Sequence, residues 1–579
     1  MAEKIISPGV FTQERDLSFL PQGVAQIGAV FVGPTIKGPI LKPTQISSFN
    51  EFIQKFGPLT EKSYLPYAVQ AYLKDAPNAT IVRIAETSST PAELDFGHFK
   101  LHTISEGLSA NYELKAEVFS TRPTGSVPGS NFGDFSIRIR RQDTTDNNVA
   151  STYFGSNIQD TDSRPNIVEQ FYNCSLDPQS PNFITKVIGD RYLTVDTSGT
   201  SARLKYNGDY PNKSSYVRVS ITQATLDTLS QLTGSFNTYN IQSQYTASRN
   251  FSGATGGRGI TGVLSGSSLN NANILTGESI TAANTQGLDC STKTATGSLL
   301  YKAAFEILSN QDEFDMNMIV TPGLIYGTHT EVNKFAMDLC EDRGDTFYVM
   351  DGGTLNGTVT NTVSNVKLLD TNYAATYYPW VKILDTDKNK PVWVPPSVVL
   401  PGVIAFNDQV AAEWYAPAGL NRGGLPNVVD VKIRLTNDER DELYTGRVNP
   451  IATFPSQGAT VFGQKTLQAR PSALDRINVR RLLIAVKKFI ASSSRYLVFE
   501  QNTAATRNRF LSIVNPYLES IQQRNGLYAF RVVMDDTNNT IDMIDRNMLK
   551  GDIFLQPTKT AEFIVLDFTV LPTGAVFPE

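Results

Sequence analysis

Cysteine and histidine are both scarce in this chain, three of each in 579 residues. Cys174, Cys290 and Cys340 are odd in number, far apart and without CxxC spacing. That pattern disfavours a disulfide framework or a thiolate zinc site and reads as reduced, partly buried thiols. His98 and His102 stand four residues apart, but in a strand-rich stretch without the glutamate of an HExxH helix, and His329 is remote from both. No metal site is expected from them. Long apolar runs are missing too: nothing approaches the about 18 consecutive apolar residues of a membrane span. The opening residues Met1 to Gly9 lack an apolar core and a cleavage site, so no signal peptide is expected. Charge is thin, at 18% of residues, and the net value of -5 provides no general basic excess for phosphate, which argues against direct nucleic-acid binding. No nucleophile-base pair or carboxylate dyad can be assembled, so neither catalysis nor a cofactor is expected.

What is present is length and a changing texture. A chain of 579 residues exceeds one core and suggests roughly three to four domains. Residues 1–20 read as an arm, in which Val10, Phe11, Thr12 and Gln13 can extend but have no adjacent strand to satisfy their backbone. Residues 21–95 and 295–365 together read as a discontinuous α/β domain. The first piece holds an apolar strand at 26–32, a helix face at Leu65, Ala68, Val69, Tyr72 and Leu73, and a buried strand at 79–85. The second alternates helix faces (Leu300, Ala304, Ile307; Val332, Ala336, Leu339) with strands at 318–320 and 346–350. Between them, Ser, Thr, Asn and Gly dominate, and short alternating runs such as 136–139 and 215–219 predict inserted all-β modules at 96–190 and 191–294. Residues 366–560 read as a third compact unit, with helix faces around Leu482 and Phe510 and strands at 527–534 and 552–555. A last strand follows within 561–579, where Ile564, Leu566, Phe568 and Val570 share one face. The predicted class is α+β and multi-domain.

Several local patterns invite a chemical reading. Asp385, Asp387 and Asn389 copy the first ligands of a calcium loop, but Lys390 and Pro396 stand where glycine and glutamate are needed, so a polar hairpin turn is expected. The glycine-rich stretch 253–259 lacks the Lys-Ser/Thr of a phosphate loop and reads as an ordinary loop. Asp351 follows a strand end, where α/β enzymes keep acids, but has no assignable base beside it and reads as a turn cap. A predicted helix carries Arg476, Arg480, Arg481, Lys487, Lys488 and Arg495 with no acid among them. It reads either as a solvated face or as a docking surface for an acidic partner.

The stretch from Tyr373 to Leu467 is dense in proline, glycine and aromatic residues, a texture that specifies shape. Its pieces, Tyr378-Pro379-Trp380, Pro395-Pro396-Ser397, Ala416-Pro417-Ala418-Gly419, Val448-Asn449-Pro450-Ile451 and Gly463 to Leu467, are followed by Ile477-Asn478-Val479-Arg480-Arg481. In that order they resemble contractile bacteriophage tail sheath proteins, as do Ser7-Pro8-Gly9-Val10 and Phe52 to Arg83. The resemblance implies a self-assembling virion subunit, built in the host cytoplasm. Such subunits stack as six-fold rings around a tail tube, contract on a baseplate signal to drive the tube through the host envelope, and meet a tail terminator. It implies a C-terminal domain completed by neighbouring subunits' strands, here Val10 to Gln13 and Ile564 to Val570, and a tube-facing role for Arg476, Arg480, Arg481, Lys487 and Lys488. Two other readings stay open: another phage tail or baseplate protein with an adhesive insertion, and the sheath of a bacterial contractile injection system.

Overall fold

The computed structural model describes residues 28–60, 63–85, 91–96, 99–104, 106–107, 114–122, 134–141, 167–196, 202–221, 261–263, 289–455 and 457–562. The chain divides into a large unit, Gly28–Ile484 with Thr560–Glu579, and a small one containing Ala485–Lys559.

The large unit is organised by an eight-stranded sheet. Six strands run parallel in the order Asn449–Phe454, Ala374–Tyr378, Phe347–Asp351, Met318–Ile325, Ala29–Gly33 and Ala79–Arg83. Short antiparallel strands close the two edges, Gly458–Val461 on one side and Thr44–Ile46 on the other. The inner strands are apolar without alternation because helices cover both faces. Alternate side chains therefore enter different cores. Ala29, Phe31, Val320, Val349 and Tyr377 pack with the helices Phe49–Phe56, Leu65–Tyr72 and Pro396–Val410. Val30, Val32, Ile319, Tyr348 and Met350 pack with Thr296–Leu308 and Thr330–Arg343.

This sheet corrects the expected boundary at 365/366. Strands Ala374–Tyr378 and Asn449–Phe454 continue the sheet begun at Ala29, so residues 366–484 share the core of the α/β domain. Parallel pairing is set by helical crossovers, which leave no local mark where one segment joins a sheet started hundreds of residues earlier.

Between these halves lie antiparallel sheets. One comprises Ile167–Ser175, Asp134–Arg141, Leu114–Arg122 and Thr261–Val263; another Val217–Ile221, Phe99–Thr103 and Glu93–Asp95. They share a core with the short helix Ile184–Ile188, so the region is β-rich but not purely β. Val217 pairs with Thr103, and Thr261 with Glu117, so strands on both sides of the expected 190/191 division belong to common sheets.

The small unit packs the helix Ala504–Gln523, through Phe510, Val514, Leu518 and Ile521, beside the hairpin Leu527–Val533 and Asp552–Pro557. Phe489 stacks on Tyr517 at 3.7 Å between ring centres.

Candidate assembly interface

The Asn449 motif, the Gly463 to Leu467 segment and Arg476 meet in one place. Asn449, fully buried, donates from Nδ2 to the Thr376 and Lys465 carbonyls at 3.1 and 2.8 Å and accepts from Lys465 N at 2.6 Å. It thereby clips the Gly463 to Leu467 segment to the sheet, and Leu467 N continues the clip by donating to Ala374 O at 3.0 Å. Gln464, held there, donates to Thr560 Oγ1 at 2.6 Å and to Glu562 Oε1 at 3.0 Å. Arg476 completes the grip with a two-pronged ion pair, Nε to Oε1 at 2.7 Å and Nη2 to Oε2 at 2.9 Å, and the Tyr444 hydroxyl donates to Oε2 as well. Burial alone would raise the Glu562 pKa; hydrogen bonds from Arg476, Tyr444 and Gln464 outweigh it and hold the carboxyl below its usual range. Glu562 is thus a fixed root for the segment that follows. Ile564, Leu566, Phe568 and Val570, and at the other end Val10, Phe11, Thr12 and Gln13, lie outside the described residues.

The helix Ile477–Ser494 is not the uniform basic face its sequence suggests. Arg476, just before it, is spent on Glu562 and on Asp475 Oδ2 at 2.9 Å. Arg481 is buried and pairs with both oxygens of Asp408, Nη1 to Oδ1 at 2.8 Å. Arg480 is buried with its guanidinium 4.1 Å from the centre of the Tyr373 ring, and burial lowers its pKa. Lys487 is exposed and Lys488 half-buried. Of the five cations expected on one docking surface, Arg476 and Arg481 thus meet acids 86 and 73 residues away, and Arg480 stacks on Tyr373. A planar guanidinium on a long apolar stem suits such buried pairing and stacking.

The hairpin of the small unit has the opposite character. Its two strands pair only with each other, and each keeps one edge without a partner among the described residues. Tyr528 and Phe554 are 58% and 60% exposed on it. A two-stranded ribbon is marginal by itself, and its open edges are templates for further strands.

The remaining candidates are structural. Asp351, fully buried, accepts from Ser397 N, Ser397 Oγ and Gly323 N at 3.0, 2.6 and 3.2 Å, capping the helix Pro396–Val410; burial pushes its pKa up to about 6. Asp385 accepts from Asp387 N, Lys388 N and the Tyr67 hydroxyl within a tight turn. His102 lies beside Ser220 and Glu93, its pKa lowered to about 4 by burial. His98 and residues 253–259 lie outside the described residues, among which no group of three metal-ligating side chains gathers. The three cysteines are free and buried.

Tyr444, Gln464 and Glu562 were not anticipated as partners. Gln464 stood inside a quoted motif, but nothing local marks Glu562 as its counterpart.

Parts of this chain are similar to known proteins. Residues 294–467 match the phage tail sheath protein central domain, and residues 469–570 the phage tail sheath C-terminal domain. The tail sheath protein of Vibrio phage KVP40 is 39% identical over 219 residues, 38% of this chain and 32% of that protein. That of Enterobacteria phage T4 is 37% identical over the same length, with the same shares. That of Salmonella phage ViI is 30% identical over 287 residues, 48% of this chain and 44% of the relative. The chain thus spans less than half the length of these curated relatives. Among solved structures, the sheath tail protein Lin1278 from Listeria innocua aligns with 92% of this chain and 96% of its own at a TM-score of 0.50 and 11% identity, a likeness of fold. The central-domain match ends at 467, well past the 365/366 boundary expected from sequence and in keeping with the continuous sheet. Residues 294–570 thus match the central and C-terminal domains of phage tail sheath proteins, in agreement with the resemblance to contractile tail sheaths carried by the sequence motifs.

Proposed function

We propose that this chain is the repeating structural subunit of a contractile tail sheath. Copies polymerise as stacked six-fold rings around an inner tube, and the sheath contracts to drive that tube through the host envelope during genome delivery. The observation that carries self-assembly is the small unit's hairpin: two strands, each with one edge that has no partner among the described residues, and exposed aromatic side chains. Strands Val10 to Gln13 and Ile564 to Val570 of neighbouring copies are its proposed occupants. Main-chain bonds then supply affinity while alternate side chains supply register. The Glu562 grip supports this reading, because it fixes the base of the donated C-terminal strand to the large unit. Partners are further copies, the tube protein, and baseplate and terminator proteins. Tube docking on the helix Ile477–Ser494 then rests chiefly on exposed Lys487, where a pair worth about 0–1 kcal/mol can form and release. We read the chain as non-catalytic, since its buried acids Asp351 and Asp385 serve as caps.

Electron microscopy of the full chain, alone and co-expressed with the tube protein, tests the proposal. Hollow cylinders or stacked rings are expected. Dispersed particles in both arms would overturn it.

A further inference from the structure

The residues that follow the hairpin are held by two different parts of the chain. Thr558 closes the hairpin: its N donates to Gly526 O at 3.2 Å and its hydroxyl to Asn525 O at 2.8 Å. Thr560 and Glu562 belong to the large unit, where Gln464 Nε2 donates to Thr560 Oγ1 and Arg476, Tyr444 and Gln464 all reach the Glu562 carboxylate. Lys559 alone stands between the two attachments. The grip on Glu562 is built rather than incidental. Arg476 engages both carboxylate oxygens, the strong and geometrically specific form of this ion pair. Gln464 is 3% exposed and is placed by Asn449, which clips the adjacent Lys465 to the sheet.

The segment after Glu562 alternates apolar Ile564, Leu566, Phe568 and Val570 with Val565, Asp567 and Thr569, the pattern of a strand. The nearest edge in sequence is the chain's own. Asp552–Pro557 has one edge without a partner among the described residues, and Phe554 on it is 60% exposed. An antiparallel return onto that edge needs a turn over residues 558–563. That is roughly the length hairpin loops use, and closing so short a loop costs little entropy. A strand tethered this closely has an effective concentration on the order of millimolar. Left free, it would occupy its own edge before any second copy met it. The turn and the grip compete for the same two residues, Thr560 and Glu562.

We propose that the Glu562 grip decides which copy receives the C-terminal strand. By holding Thr560 and Glu562 on the large unit, it blocks the return onto the chain's own Asp552–Pro557 edge and leaves Ile564 to Val570 for the same edge of a second copy. Tyr444, Gln464, Arg476 and Glu562 are then positioning residues for strand exchange. The inference rests on the strand-exchange reading above and adds to it the means by which exchange between copies prevails over self-closure.

A fluorescent synthetic peptide of residues 563–575 reports whether the edge is free. It is titrated by anisotropy against the full chain and against full-length Glu562→Ala, both below the concentration at which polymers sediment. The parent is expected to bind it. Glu562→Ala should bind roughly tenfold more weakly, its own strand sitting on the edge, while the amides of 564–570 gain protection from exchange. Removing residues 563–579 from the Glu562→Ala chain should restore parental binding, which a damaged small unit would not do. Equal binding by the parent and Glu562→Ala would overturn the role of the grip and leave strand exchange intact. Binding by the truncated chain alone would mean that the parent is already self-closed and would overturn it too, as would weak binding that truncation fails to restore. A peptide bound by none of the three chains would overturn strand exchange itself, and this inference with it.

Discussion

The large unit's central sheet and the small unit's hairpin solve opposite problems with the same backbone hydrogen bonds. The central sheet is covered on both faces and ends in short antiparallel strands, Thr44–Ile46 and Gly458–Val461, that leave little edge for another chain. The hairpin Leu527–Val533 with Asp552–Pro557 has two strands, one packed helix and aromatic residues facing solvent. One region is finished within the chain, and the other, among the described residues, is an unfinished sheet. Mutations should therefore separate the two, with stability falling in the first and assembly in the second.

The largest expected loss of stability is in the central core. Trp380 is 2% exposed, donates from Nε1 to Gly353 O at 2.7 Å and meets Tyr64 edge-on at 5.9 Å. Trp380→Ala should cost about 3–5 kcal/mol, read as a lower thermal midpoint. A smaller loss would mean that the core collapses around the void. Asp351 comes next. Its folded pKa of about 6 lies above the ordinary aspartate value near 4, so the fold favours the protonated acid. That contribution is fully present below about pH 4 and is lost as pH rises through about 6, a change on the order of 3 kcal/mol. Asp351→Asn should flatten the stability-pH curve across that window, measured by denaturant titration of both proteins; parallel curves would refute the assignment.

Glu562→Gln should have a smaller effect, about 1 kcal/mol, because the pair is partly exposed. Amide exchange at Thr560 to Glu562 should quicken. The Glu562 pKa is depressed, so the grip is present at neutral pH and above the unfolded value near 4.3, and is lost as pH falls through the folded value. In sufficiently acid solution the parent chain should exchange like the variant. The smallest stability effect belongs to the hairpin. Tyr528→Asp and Phe554→Asp should stay within about 0.5 kcal/mol of the parent while abolishing sedimenting polymers. If instead either variant unfolds the small unit, the hairpin face is a core and the comparison between the two regions collapses.

Much of this was readable from local pattern. The apolar spacing at Leu65, Ala68, Val69 and Tyr72 marked a helix, observed as Leu65–Tyr72, and the one at Phe510, Val514, Leu518 and Ile521 marked Ala504–Gln523. Period-two and fully apolar runs located Ala79–Arg83, Met318–Ile325 and Leu527–Val533. What escaped was everything decided at long range. The partners of Arg476 and Arg481 lie at Glu562 and Asp408, so two cations that look uncompensated in sequence meet acids in space. The 365/366 boundary failed for the same reason: Phe347–Asp351 and Ala374–Tyr378 pair across it in register, from Tyr348 opposite Ala374.

The two open edges of the hairpin also set a valence. On the proposed reading each copy supplies two strands, one from either end, and accepts two. Supply and demand then balance for every copy inside a polymer, however long it grows. Where both donated strands pass to the next layer in one direction, only the first and last layers are left with unmatched valences, donors at one end and acceptors at the other. A polymer of identical subunits thereby acquires two chemically different ends and a built-in polarity, so that what initiates it and what stops it can be different molecules.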